Sequence, residues 1–411
     1  MSSDFKGDFS STTNSSIPGS HGISPSPCSV SPFAFETLCS HGHASVDKYT
    51  GAIGTPIVQA ATFAHPSLGQ STGFDYARGP HPTRLELEMT VAQLEKGEFS
   101  LAFSSGMAAI SCWLKRFSSG AKIVVSEDLY GGTWRVFSMY ESYGIKAIYV
   151  DTSKLDEVKK ALEGGADALF IETPSNPMMR ISDIEACASL IHGVGGVLVV
   201  DNTFLTPYLQ NPLELGADFV IHSATKYLGG HNDAVAGMLV YNGKENDEFF
   251  RAAQMAEGAC LSPFDSFLIL RGIKTLALRM KKAEENAKKI ADFLCSSEAV
   301  EKVFYPGFSD SPGFSVNAKQ ARGSGAMISF RVKNAHKIPD ILSSLNLILF
   351  AESLGGVQSL ITYPETQTHV AIPVEMRERV GVDKNLLRMS VGIEDCDDLI
   401  KDLSSALSKA L

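Results

Sequence analysis

The chain predicts an α/β protein, a largely parallel doubly wound sheet followed by a smaller C-terminal α+β domain. Three observations predict it. Short apolar runs such as AKIVVS, ADALFIE, VLVVD and ADFVIH recur between residues 121 and 222 without polar alternation. Between them lie helix-like segments, KLDEVKKALEGG and ISDIEACASLIHGVGG among them. Strands that are apolar on both faces belong in a parallel sheet covered by helices on both sides, and strand–helix alternation is the pattern of that class. The third observation is the position of the polar clusters. SSGM, DLYGGT, ETPSNP, DNTF and HSATK each follow the carboxyl end of an expected strand, the edge where open α/β sheets bind their ligands.

The elements follow in order. Residues 1–35, dominated by Ser, Pro and Gly, lack any periodicity and read as a disordered extension. They contain no continuous apolar segment of a secretory signal, and they hold Asp4 and Asp8 but no arginine, against a transit peptide. An arm over 36–79 leads into a large domain over 80–270. Within it SLAFSS, AKIVVS, IKAIYVD, ADALFIE, VLVVD and ADFVIH are strands, and GMAAIS and WRVFSMYESYG are helices. The long charged helix in TLALRMKKAEENAKKIADFLCSS then changes the texture. A C-terminal domain over 271–411 is expected from GAMISFRV, LILFAES and LLRMSVGIED between helices.

Bulk composition narrows the function. The chain has 411 residues, 44% hydrophobic and 20% charged, with a formal net charge of −10. An acidic chain is a poor partner for nucleic acid or an anionic membrane, and no apolar run reaches the roughly 18 residues of a membrane helix. Seven cysteines without a CxxC pair suggest neither a disulfide framework nor a zinc site. A reducing cytoplasm is the expected location.

The dinucleotide and P-loop glycine motifs are absent, as are HExxH and a Ser-His-Asp pattern. What remains at the sheet edge suits an aromatic, phosphorylated, carbonyl-bearing cofactor. Lys226 offers an amine for a Schiff base once its pKa is lowered. Ser223 and Thr225, two residues apart, can both reach one phosphate. Gly106 and Met107 open a helix whose N–H groups favour an anion. Asp201, after an apolar strand, needs a cationic partner such as a protonated ring nitrogen. Tyr130, beside two glycines, can stack on a flat ring. Arg388, between apolar residues in LLRMSV, needs an anion, and a carboxylate held by two hydrogen bonds is its best match. Singly, each has an ordinary structural reading: surface lysine, helix cap, core tyrosine, structural ion pair. Their joint occurrence on one edge favours the cofactor.

The motifs YARGPHPTR, FSSGMAAI, DLYGGT, ETPSNP, VVDNTF, HSATKYLGGHND, AESLGGVQSLITYP and LLRMSVGIED resemble those of the pyridoxal-phosphate (PLP) enzymes of cysteine and methionine metabolism, from about residue 36 to the C-terminus. The resemblance implies the fold of type I PLP-dependent transferases, the aspartate-aminotransferase-like class. It implies covalent PLP on Lys226, Asp201 against the ring nitrogen and Tyr130 over the ring, where it also takes part in catalysis. Ser105, Gly106, Met107, Ser223 and Thr225 would hold the phosphate, and Asn176 would contact the phenolic oxygen. Arg388 would grip the substrate carboxylate with Ser353 nearby. Tyr76 and Arg78 would reach the phosphate in a neighbouring subunit. The implied assembly is therefore a homo-oligomer, a tetramer made of two dimers, acting on small amino acids. His81 departs from relatives that carry asparagine there.

Within that family the far end of the substrate differs. Glu352 resembles the synthases and γ-lyases, whereas β-lyases and methionine γ-lyases tend to carry an apolar or aromatic residue there. Gly132 departs from the cysteine usual in methionine γ-lyases, and Arg135 could contact the acyl group of an activated homoserine. The expected reaction is that of a cystathionine γ-synthase, γ-replacement of an O-acyl-homoserine by cysteine. Cystathionine γ-lyase or O-acetylhomoserine sulfhydrylase chemistry is the alternative, with cystathionine β-lyase and methionine γ-lyase behind it.

Overall fold

A computed structural model describes residues 26–28, 32–44 and 46–410. The extension expected over 1–35 falls mostly outside the described residues. Two sheets organise the rest. The first contains β1 (Phe99–Phe103), β2 (Lys122–Ser126), β3 (Lys146–Val150), β4 (Ala168–Glu172), β5 (Val197–Asp201), β6 (Phe219–His222) and β7 (Gly237–Tyr241). Their spatial order is β1-β7-β6-β5-β4-β2-β3. The helices that bear on the site are α1 (Phe35–His41), α2 (Pro82–Leu94), α3 (Gly106–Leu114), α4 (Gly131–Glu141), α5 (Leu155–Leu162) and α6 (Ile184–His192).

The unbroken apolar runs have their explanation in β4. Phe170 points to a cluster with Trp113 and Phe137, while Leu169 and Ile171 point the other way onto Ile184 and Cys187. Successive side chains leave opposite faces of a strand, and here both faces are covered, so neither can be polar.

One strand departs from the expected reading. GMLVY forms β7, antiparallel to both β6 and β1. The connection over 223–236 contains no helix, and a parallel return needs a crossover, usually helical. The chain therefore doubles back, and that connection is free to carry polar groups.

The second sheet orders β10 (Leu349–Phe350), β11 (Leu360–Thr362), β12 (Leu386–Ser390), β9 (Met327–Val332) and β8 (Val300–Phe304), antiparallel except for β10 with β11. Helices Leu276–Ser296 and Cys396–Leu407 pack onto it through Met280, Ile290, Phe330, Leu387 and Leu403. No helix among the described residues is long and apolar enough to cross a membrane. Between α1 and α2 the arm carries Tyr49, Ile53 and Leu68 almost fully exposed.

Candidate active site

The carboxyl ends of β4, β5 and β6 converge on one cleft, closed on its far side by the second sheet. At its centre the chain turns directly after β6. Thr225 holds that turn: its Oγ1 donates to the Ala236 carbonyl at 3.2 Å and accepts from the Ala236 amide at 3.0 Å. A connection without a helix satisfies its backbone groups through side chains, and Thr225 does so here. Ser223 Oγ makes no hydrogen bond among the described residues.

Lys226 follows on the same turn. Its Nζ donates to Ser353 Oγ at 2.8 Å, reaching from the first sheet to the second. Ser353 has φ of 90°, and Gly355 has φ of 76°. A Cβ on Gly355 would stand 2.7 Å from the Tyr227 amide nitrogen, so only glycine lets AESLGG lie against the lysine turn. Burial, then repulsion from Arg388, lowers the Lys226 pKa to about 8, with Glu352 acting the other way. An ordinary lysine amine is almost wholly protonated at neutral pH; this one offers an appreciable nucleophilic fraction.

Asp201 ends β5, half-buried. Its Oδ1 accepts from the Thr203 amide at 3.0 Å and from Thr203 Oγ1 at 2.5 Å. Thr203 Oγ1 in turn accepts from the Ser223 amide at 2.9 Å, tying the ends of β5 and β6 together. Burial raises the Asp201 pKa, and the Thr203 hydrogen bonds oppose that rise. No lysine or arginine forms an ion pair with it among the described residues.

On the phosphate side, Ser105 caps α3, its Oγ accepting from the Ala108 amide at 3.1 Å. The amides of Gly106 and Met107 make no hydrogen bond among the described residues and sit at the positive end of the helix. Gly106 lies against the lysine turn; a Cβ there would stand 3.1 Å from Ser223 Cα and Cβ. Two free amides and a free hydroxyl thus meet at one point.

Tyr130 is the exposed N-cap of α4, with its amide donating to Glu172 Oε2 at 3.0 Å. Asn176, buried beyond β4, accepts from Arg388 Nη1 at 2.7 Å through Oδ1, and its carbonyl lies 3.1 Å from His369 Nε2. Arg388 sits in mid-strand on β12, 1% exposed. Its Nη2 donates to the Ser353 carbonyl at 3.2 Å and to Thr362 Oγ1 at 3.3 Å, and its Nε has no partner. Burial lowers its pKa to about 10, with Glu172 the largest opposing influence. The guanidinium stays charged at neutral pH, surrounded by neutral acceptors and one unused donor. A buried cation arranged in this way lacks an anion.

Glu352 is exposed at the mouth and close enough to influence both Lys226 and Arg388. Arg135 lies on the outer face of α4 and Tyr76 and Arg78 on the arm, all exposed. The Arg78 guanidinium stands 5.5 Å from the centroid of the Tyr76 ring. None of these three is brought to the lysine within one chain.

Two groups here escape a reading of the sequence. Glu172 is the strand-register partner of Asp201, and buried His369, its pKa lowered to about 4 by burial, stands behind Asn176 as a neutral imidazole. Glu172 lies within a quoted motif, so strand alignment could have found it. His369 meets Asn176 across 193 residues of sequence, and no local pattern announces that.

The residues fit PLP on the strength of this structure: a desolvated amine for the aldehyde, free amides and a hydroxyl for the phosphate, and an unpaired acid for the ring nitrogen. A family model for the Cys/Met metabolism PLP-dependent enzymes matches residues 36–408. The chain is 47% identical over 373 residues to a cystathionine gamma-lyase of Bacillus subtilis (strain 168), covering 90% of this chain and 98% of that one. It is 45% identical over 377 residues to a cystathionine beta-lyase of Lactococcus lactis subsp. cremoris (strain MG1363), covering 92% and 99%. The solved cystathionine gamma synthase of Xanthomonas oryzae pv. oryzae in complex with cystathionine superimposes with a TM-score of 0.91 at 38% identity, over 92% of this chain and 99% of that one.

Proposed function

Since the chain belongs to the Cys/Met metabolism PLP-dependent enzymes, we propose that this trans-sulfuration enzyme is a cystathionine γ-synthase, replacing the acyloxy group of an O-acyl-homoserine by the sulfur of cysteine. Bound in the cleft, PLP supplies an electron sink that makes a substrate Cα proton labile. Lys226 would hold the cofactor through Nζ at rest, and the same amine would take the Cα proton of the incoming amino acid. Ser353 Oγ, already bonded to Nζ, holds the amine in place. Arg388, a buried cation with Nε unpaired and only neutral acceptors bonded to it, would take the substrate α-carboxylate. In the net exchange the Cγ–O bond breaks with its electron pair departing on the carboxylate, and the cysteine thiolate forms the Cγ–S bond. Asp201 would hold the cofactor's ring nitrogen, and Tyr130 would stack on its ring.

The observation that carries the synthase reading is Glu352, an exposed acid at the mouth beside Lys226 and Arg388. An acid there can pair with the ammonium of the incoming cysteine. A methionine side chain offers no group to pair with it. The test offers acetyl- or succinyl-homoserine with cysteine or sulfide, and cystathionine or methionine alone. Cystathionine formation should dominate. Glu352→Leu should lower kcat/KM for cysteine by about tenfold, within the range of one lost charged hydrogen bond, and leave the half-reaction with the ester nearly unchanged. Efficient methionine cleavage, or no effect of Glu352→Leu on cysteine use, rules the assignment out. The similarity to the Bacillus subtilis lyase supports a second reading, γ-elimination of cystathionine, by the same residues without a thiol acceptor.

The exposed Tyr49, Ile53 and Leu68 on the arm that carries Tyr76 and Arg78 support a further reading. The arm packs on a second copy, where Tyr76 and Arg78 join the phosphate site, and two such dimers form a tetramer. Several large apolar groups exposed on one segment mark an interaction surface. Mixing inactive Lys226→Ala and Arg78→Ala chains should restore about a quarter of the wild-type activity at equal proportions if sites are shared across subunits. Mixtures no more active than the separate variants refute the shared site.

A further inference from the structure

Glu172 and Asp201 close neighbouring parallel strands as register partners. Their side chains therefore leave the same face of the sheet, with backbones about 5 Å apart. Glu172 is 5% exposed, and the one hydrogen bond of its side chain accepts the Tyr130 amide. The charged groups facing it are Asp201 at the end of β5, Asp128 beyond β2 and Arg388 on β12. Asp128 is occupied with Ser175, and Arg388 gives its donors to Asn176, Ser353 and Thr362. Two carboxylates and one guanidinium thus face Glu172, and none of the three bonds to its side chain.

Two such acids side by side in a desolvated site do not both ionise. The Thr203 amide and hydroxyl favour the charged form of Asp201, whereas Glu172 has a single backbone amide. Burial, then the Asp201 charge, pushes the Glu172 carboxyl well above the usual range. The proton belongs on Glu172.

We propose that Glu172 is a positioning residue that works as a neutral acid, its carbonyl oxygen fixing the Tyr130 amide and its proton facing Asp201. Asp201 is then the sole negative charge offered to the cofactor's ring nitrogen, and the Tyr130 ring is held over the other face from below. This inference rests on PLP lying between Tyr130 and Asp201, as the family reading has it. Cofactor binding by the wild-type protein tests that premise separately.

Glutamine reproduces both halves of a protonated glutamate: an oxygen that accepts and an N–H that donates. Glu172→Gln and Glu172→Leu are compared by PLP dissociation constant, by the pH titration midpoint of the bound cofactor's visible band, by kcat and KM, and by melting temperature. The Gln variant should match wild type within about twofold in affinity and keep its midpoint. The Leu variant should bind PLP about tenfold or more weakly and shift the midpoint. Should Leu fail to fold, Glu172→Ser, which loses the same two contacts, takes its place. A Gln variant as impaired as the Leu variant shows that Glu172 acts as a charge and overturns the proposal. A Leu or Ser variant indistinguishable from wild type overturns it too.

Discussion

Lys226→Ala should leave a folded protein with less than about a thousandth of the wild-type turnover and no covalently held cofactor. Acid–base catalysis alone is worth about 10²–10⁴-fold, and this residue combines it with covalent attachment. The side chain makes one hydrogen bond, to Ser353 Oγ, so its loss should move the melting temperature little. Removing a half-desolvated amine next to Arg388 also relieves a repulsion. The wild-type protein freed of cofactor has its own signature. The Lys226 pKa is lowered to about 8, so the unprotonated, reactive fraction grows as pH rises through about 8. Covalent capture of added PLP should quicken over that interval and level off above it. A rate that continued to climb toward pH 10 would indicate an ordinary lysine. Stopped-flow absorbance reads the capture, and the substrate assay reads the turnover.

Arg388→Ala should lower kcat/KM by about 10²–10³-fold, with the loss in KM for every amino-acid substrate and little change in cofactor retention. Truncating one member of a buried, hydrogen-bonded charge pair costs about 2–5 kcal/mol, which is a factor of about 30 to several thousand. The structure supports the large value, because the guanidinium has no carboxylate bonded to it and Nε lacks any partner. Arg388→Lys keeps the charge without the planar fork and should recover only part of the loss. Arginine at this point also offsets Glu172 and Glu352, so melting temperatures accompany the kinetics. A variant whose KM stays unchanged while stability falls would make Arg388 a structural cation.

The sequence carried the sheet because its strands had no alternative: a run such as ALFIE, apolar on both faces, can lie only between two helical layers. The polar edge was legible for the same reason, since Asp201 ends such a strand, Lys226 lies on the turn after another, and both have few ways to be satisfied. Distant pairings were not legible. The antiparallel course of β7 depends on what the 223–236 connection lacks, and so do the hydrogen bonds of Thr225 across that turn. Ser353 meets Lys226 across 127 residues of sequence and Arg388 meets Asn176 across 212. These contacts exist only because the second sheet packs over the edge of the first. The role of Glu172 emerges only from strand register, which a run of apolar residues does not specify to the residue.

The account stands on the amine of Lys226 being the group that carries the cofactor opposite Asp201. Borohydride reduction of the purified yellow protein, followed by proteolysis and peptide mass mapping, measures this directly. One phosphopyridoxyl adduct per chain, on the peptide containing HSATKYLGG, is the predicted result. An adduct on any other lysine, or none despite stoichiometric bound PLP, contradicts it.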